Sequence, residues 1–143
     1  MKSIEVPALT GILTEFNRLH PLLLEGVSGI RNGFQFFSFP VPLPREGFKV
    51  KIFRPKTFCA VDDLIEEVGY LDLPAVSFIL KNKLFNKKYC SVFFVKSHSA
   101  SLGVTMSVVW DPEKGGYFVG VEEIHSGVSC ISPFMLVCGI RGK

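Results

Sequence analysis

The last third of the chain carries apolar-rich stretches of strand length, separated by short polar segments. They are "YCSVFFV" (89–95), "VTMSVVW" (104–110), "YFVGVEEI" (117–124) and "FMLVCGI" (134–140). Apolar positions recurring near period two, rich in β-branched and aromatic residues, predict strands. "DPEKGG" (111–116) supplies a turn between the second and third of these. Upstream, "GFKVKIF" (47–53) alternates well and is expected to pair with a strand at "FQFFSF" (34–39). In that earlier stretch Phe34 and Phe36 fall on one side and Phe37 and Phe39 on the other. A strand apolar on both faces needs cover on both, from a helix on one side and a partner subunit or ligand on the other. The intervening "PVPLP" (40–44) favours an extended connector.

Helical spacing appears in two regions. Leu9, Ile12, Leu13, Phe16 and Leu19 predict an N-terminal helix over 8–19 that Pro21 ends. "EGVSGIRNG" (25–33) then reads as a loop. Thr57 is placed to cap a helix over "FCAVDDLIEEVGY", with Asp62 and Asp63 early, where the helix dipole favours them, and Gly69 near the end. A second helix starts at Leu73 and Pro74 and runs through "AVSFILKNKLF". The fold class expected is α+β. A mostly antiparallel sheet of about six strands carries the N-terminal helix and the central helical pair on one face. The alternative is a strongly bent sheet wrapped around the helices.

Length and composition fit one compact domain over residues 1–143. The chain is 48% apolar and 20% charged, far from the disordered class. Its 14 phenylalanines imply a thick core or an apolar interface, and the Phe34–Phe39 strand is where a homodimer would form. No apolar run approaches the ~18 residues of a membrane span. Glu5 and Pro7 interrupt the N-terminal stretch, which lacks a signal-peptide core. A cytoplasmic protein without membrane partners or cofactors is the expectation. Cys59, Cys90, Cys130 and Cys138 show no C-x-x-C or zinc spacing and read as buried reduced thiols. A Cys130–Cys138 disulfide is the alternative.

The net charge of +3 hides segregation. Every charged residue from Lys81 to Lys96 is a lysine, and every one from Ala60 to Asp72 is an acid. On "KVKIFRPK", Lys49, Lys51 and Phe53 share one strand face, where cations beside a ring can neutralise phosphate and stack on a base. Lys81, Lys83, Lys87 and Lys88 of "KNKLFNKK" would extend that patch. RNA-binding sheet motifs are absent, and the same surface suits an acidic protein partner, with the cations steering the encounter.

Two His-Ser segments, "KSHSASLGV" (96–104) and "EEIHSGVSC" (122–130), offer His98 and His125 as an acid–base pair with Lys96 holding a phosphate. The His-x-Thr/Ser pattern of two-histidine phosphoesterases is not met, because Ala100 and Gly127 occupy the third positions. Glu123 and His125 share a strand face but lack a third ligand nearby, so no metal site is assigned. Cys59, two residues past the expected cap, is the one thiol near a helix terminus. Glycine-rich nucleotide motifs and nucleophile elbows are absent. The pattern points to a small interaction protein contacting a macromolecular partner, a protein first and single-stranded nucleic acid second. The alternative is an RNA-binding or metal-independent RNA- or phosphoester-cleaving domain using His98 and His125.

Overall fold

A computed structural model describes residues 3–8, 27–31, 39–40 and 46–140. The expected helix over 8–19 and most of the 34–39 strand, with its dimer contact, lie outside these residues. Phe39 is described, and it is half-buried against the chain's own core.

The chain folds as α+β, with strands β1 (Ser3–Val6), β2 (Val27–Arg31), β3 (Phe48–Phe53) and β4 (Cys59–Ala60) before helices α1 (Val61–Val68) and α2 (Leu73–Lys81). Strands β5 (Cys90–Val95), β6 (Val104–Asp111), β7 (Gly116–Glu123), β8 (Cys130–Ile131) and β9 (Met135–Gly139) follow. Among the described residues seven strands form one sheet in the order β1-β3-β9-β5-β6-β7-β2, and β4 with β8 forms a small ribbon. The sheet is mostly antiparallel, with β5–β9 and β2–β7 as its parallel pairs. β3 is bonded to β1 and β9, not within the expected hairpin. "EGVSGIRNG", read as a loop, contains β2, because pairing with β7 supplies what its glycines and serine do not.

Every residue of β5 from Ser91 to Val95 is buried. Phe93 and Val95 join a core cluster with Leu73, Val76, Ile79 and Leu80 of α2, whereas Val92 and Phe94 join one with Val61, Leu64 and Val68 of α1. Alternate residues of a strand point to opposite faces. The helices therefore cover opposite faces of the sheet, where a same-face pair was expected. The short link between them passes the end of β5, where the Leu71 N–H donates to the Phe94 carbonyl at 2.8 Å and Leu71 bridges to Val95. Close approach makes this possible at Gly139, where a Cβ would sit 2.5 Å from the Val68 Cβ.

Local chemistry fixes the helix ends. Asp72 accepts from the Ala75 N–H at 2.9 Å as the cap of α2, and Pro74 sits in its first turn. α2 stops at Lys81, short of the expected extension, because Lys83 adopts φ +52° and turns the chain. At α1, Thr57 is not the cap. Cys59 and Ala60 pair with β8, and Ala60 occupies the cap position without a side-chain hydrogen bond. The N–H of Val61 instead donates to the Ser129 carbonyl at 2.9 Å. Gly69, at φ +78°, ends the helix and its N–H donates to the Ile65 carbonyl.

All four thiols are free. Cys138 is buried and its thiol is pushed up to about 12 by desolvation, whereas Cys130 is exposed, so the alternative disulfide does not form. Cys90 is half-buried and also raised by burial. Among the described residues no helix is long and apolar enough to cross a membrane.

Candidate binding surface

The sheet has two chemically different ends. At one, β3 and β6 finish while β9 and β5 begin, as the register Phe53↔Val137, Cys90↔Met135 and Ser91↔Val108 requires. Tyr89 and Trp110 continue that register at neighbouring positions, and Arg54 follows β3. The Arg54 guanidinium carbon lies 4.8 Å from the Tyr89 ring centroid, and the Lys88 Nζ lies 5.5 Å from it. Lys83 and Lys87 place their ammonium groups 5.7 Å and 4.4 Å from the Trp110 centroid. Four cations are thus held over two rings on one end, and a cation over an aromatic face is attracted by the ring quadrupole.

The backbone builds this arrangement. Asn86 accepts from the N–H groups of Lys88 (2.7 Å) and Tyr89 (2.9 Å), forming a side-chain turn that presents Lys87 and Lys88. Phe85 is buried beneath, 5.2 Å edge-on to Tyr117 and 6.3 Å from Trp110, anchoring the loop to the core. Arg54 donates its Nε–H to the Pro133 carbonyl at 2.6 Å, tying β3 to the loop before β9. That loop carries Phe134, 70% exposed, and Phe58 precedes β4 at 71% exposed.

The lysines singled out in the sequence divide between places. Lys83, Lys87 and Lys88 meet at this end, and Lys81 is exposed in the last turn of α2. Lys49 lies farther along β3, opposite Glu5, and pairs with its carboxylate at 4.0 Å. Lys51 is exposed between Ser3 and Gly139. Phe53 packs half-buried against the α1-side core, so its ring is not an open platform. Arg54, Phe58, Tyr89, Trp110 and Phe134 escaped the sequence reading. Arg54 stood within "KVKIFRPK", but pairing it with Tyr89 needs the β3–β9–β5 order.

At the opposite end, His98 lies in the loop from β5 to β6 and His125 in the loop after β7. The Ile124 N–H donates to the Gly103 carbonyl at 3.1 Å, one step beyond the Val104↔Glu123 pair of β6 and β7. His98 is exposed. The His125 Nδ1 is 3.5 Å from Glu123, and its backbone N–H donates to the Ser129 hydroxyl at 2.9 Å. Ser126 donates to Asp62 at 2.5 Å. That hydrogen bond is the main cause holding the Asp62 carboxyl below its ordinary range, against partial desolvation. Tyr70 donates to the Leu102 carbonyl at 2.8 Å, and Lys96 lies 5.4 Å from its ring. Burial, with the Asp62 charge second, raises the Tyr70 phenol. The Ser126–Asp62 hydrogen bond closes the His125 loop on α1. Among the described residues no three His, Cys, Asp or Glu side chains gather as a metal site.

No protein-family model, no curated protein and no solved structure matches the chain.

Proposed function

We propose that this protein is a non-enzymatic binding protein that grips an anionic macromolecule with the sheet end carrying Arg54, Lys83, Lys87 and Lys88. The observation that carries the reading is the placement of those four cations over Tyr89 and Trp110. Resting on rings restricts long side chains that otherwise lose rotamer entropy on binding, so the array is partly organised before a partner arrives. The contact surface so proposed moves away from Lys49, which has Glu5 as partner, toward the 81–89 loop.

Retention on an immobilised polyanion such as heparin tests this. The wild-type chain is retained, and a Lys83→Ala/Lys87→Ala/Lys88→Ala variant with unchanged circular dichroism elutes at clearly lower salt. Equal elution of the two proteins would overturn the reading.

A second reading has its own observation, that the loops carrying His98 and His125 leave the same end of the sheet. It is phosphoester cleavage by those histidines with Lys96 on the phosphate, which requires turnover of RNA or a cyclic phosphoester that His98→Ala and His125→Ala each abolish. Turnover that survives either change removes it.

A further inference from the structure

Resting on the binding-surface reading above, we infer that the anion is a single-stranded nucleic acid whose bases stack on Phe58 and Phe134 while Arg54, Lys83, Lys87 and Lys88 neutralise its phosphates. The rings of Tyr89 and Trp110 already carry cations on their faces. Phe58 and Phe134, by contrast, are 71% and 70% exposed, an unusual state for phenylalanine in a folded chain.

Placement joins the two sets. Cys59 pairs with Ile131, so Phe58 falls beside Ser132, whose hydroxyl accepts the Phe134 N–H at 3.2 Å. Pro133, between Ser132 and Phe134, accepts from Arg54, and Arg54 covers Tyr89. Only the Nε–H of Arg54 is engaged there, leaving donors that suit a phosphate. From β3 through β9 and β5 to β6 the row spans three strand spacings, about 14 Å.

Exposed rings at one end of that row, with cations along the rest of it, are the chemistry of a single-strand platform: charge for the backbone, ring faces for bases of any sequence. An acidic protein would be better met by a continuous apolar patch within a polar rim. Here Phe58 falls opposite Ser132, Pro133 intervenes before Phe134, and Arg54 is bonded to the Pro133 carbonyl between them. A duplex calls for an element that enters a groove, but α1 and α2 both lie against the faces of the sheet. Every charged residue from Lys81 to Lys96 is a lysine, and these supply the complementary charge, with Asp111 and Glu113 following Trp110 at the far side of the row.

Fluorescence anisotropy with a labelled oligouridylate of about 12 nucleotides, a length within the site sizes of single-strand binders, tests the inference. Parallel arms use a duplex, an abasic phosphate chain of equal length and polyglutamate. The single strand binds tightest, with a slope of log affinity against log salt near about −2.8 for four neutralised phosphates. A Phe58→Ala/Phe134→Ala variant binds the single strand roughly tenfold more weakly and the abasic chain as before. Both side chains are exposed, so the fold survives the change. If the variant binds the single strand like wild type, or the abasic chain binds equally well, stacking is refuted while the polyanion reading stands. Tighter binding of the duplex or of polyglutamate overturns the inference in favour of that partner. If nothing binds and heparin retention ignores the lysines, both readings fall.

Discussion

Replacing Gly139 by alanine tests the closest approach in the fold. Gly139 lies at the end of β9, between β3 and β5, and is buried under the last residue of α1. An added Cβ would stand 2.5 Å from the Val68 Cβ, 2.7 Å from the Val68 carbonyl oxygen and 2.9 Å from Val68 Cγ2. Two of these atoms are fixed by the helix backbone, so no rotamer change of Val68 relieves the clash. The helix end or the strand must shift. Overpacking of this kind costs about 1–3 kcal/mol, and the rigidity of the opposing atoms favours the upper part of that range. Removing glycine's extra freedom in the unfolded chain returns about 0.4–1 kcal/mol where the backbone is compatible. The net loss expected is therefore about 1–2 kcal/mol, from the difference of those two ranges. With a urea m-value of about 2 kcal/mol/M, the unfolding midpoint falls by roughly 0.5–1 M and m is unchanged. An unchanged or raised midpoint would mean that α1 does not seat on β9 at Val68, and the assignment of the two helices to opposite faces would fail.

Phe93→Ala, which empties a fully buried position between β5 and α2, lowers stability by about 3–5 kcal/mol in the same urea assay. A loss near that of an exposed site would contradict its burial. Asp62 has its carboxyl depressed by Ser126, so it contributes stability that is full above the ordinary aspartate value of about 3.9 and declines as pH falls through the lower folded value. Ser126→Ala therefore lowers the thermal midpoint at neutral pH and narrows the gap to wild type as pH falls through that window; a gap that widens on acidification refutes the linkage. Under native conditions a thiol reagent modifies exposed Cys130 readily and reaches buried Cys138 only on unfolding, as mass mapping would show. Early labelling of Cys138 would contradict the packing of β9.

Much of the sheet was legible in the sequence because β3, β5, β6, β7 and β9 announce themselves by local pattern. The turn at Asp111, the start of α2 at Pro74 and the end of α1 at Gly69 follow from single residues whose backbone preferences leave few choices. Tertiary pairing decided the remainder. β2 is a glycine-containing segment that becomes a strand by pairing with β7, and Cys59 leaves the expected helix because β8 pairs with it. The split of the helices across the sheet was hidden because a short link suggests a hairpin on one face, and only the Leu71 bridge to β5 shows it crossing a strand end. At the binding surface, the lysines of 81–88 were visible as a charge run. Their rings came from elsewhere, since Trp110 reaches them through the β5–β6 register and Phe85 anchors the loop beneath. Lys49 and Phe53 illustrate the converse, because a shared strand face did not reveal the Glu5 pair or the α1-side packing.

Trp110 is the chain's single tryptophan and lies within the proposed surface, which makes its emission the most direct test. Titration with heparin or single-stranded RNA should change Trp110 fluorescence saturably, lose the change as salt is raised, and lose it also in Lys83→Ala/Lys87→Ala. Binding detected by anisotropy with Trp110 emission unaltered would place the contact elsewhere and contradict the account.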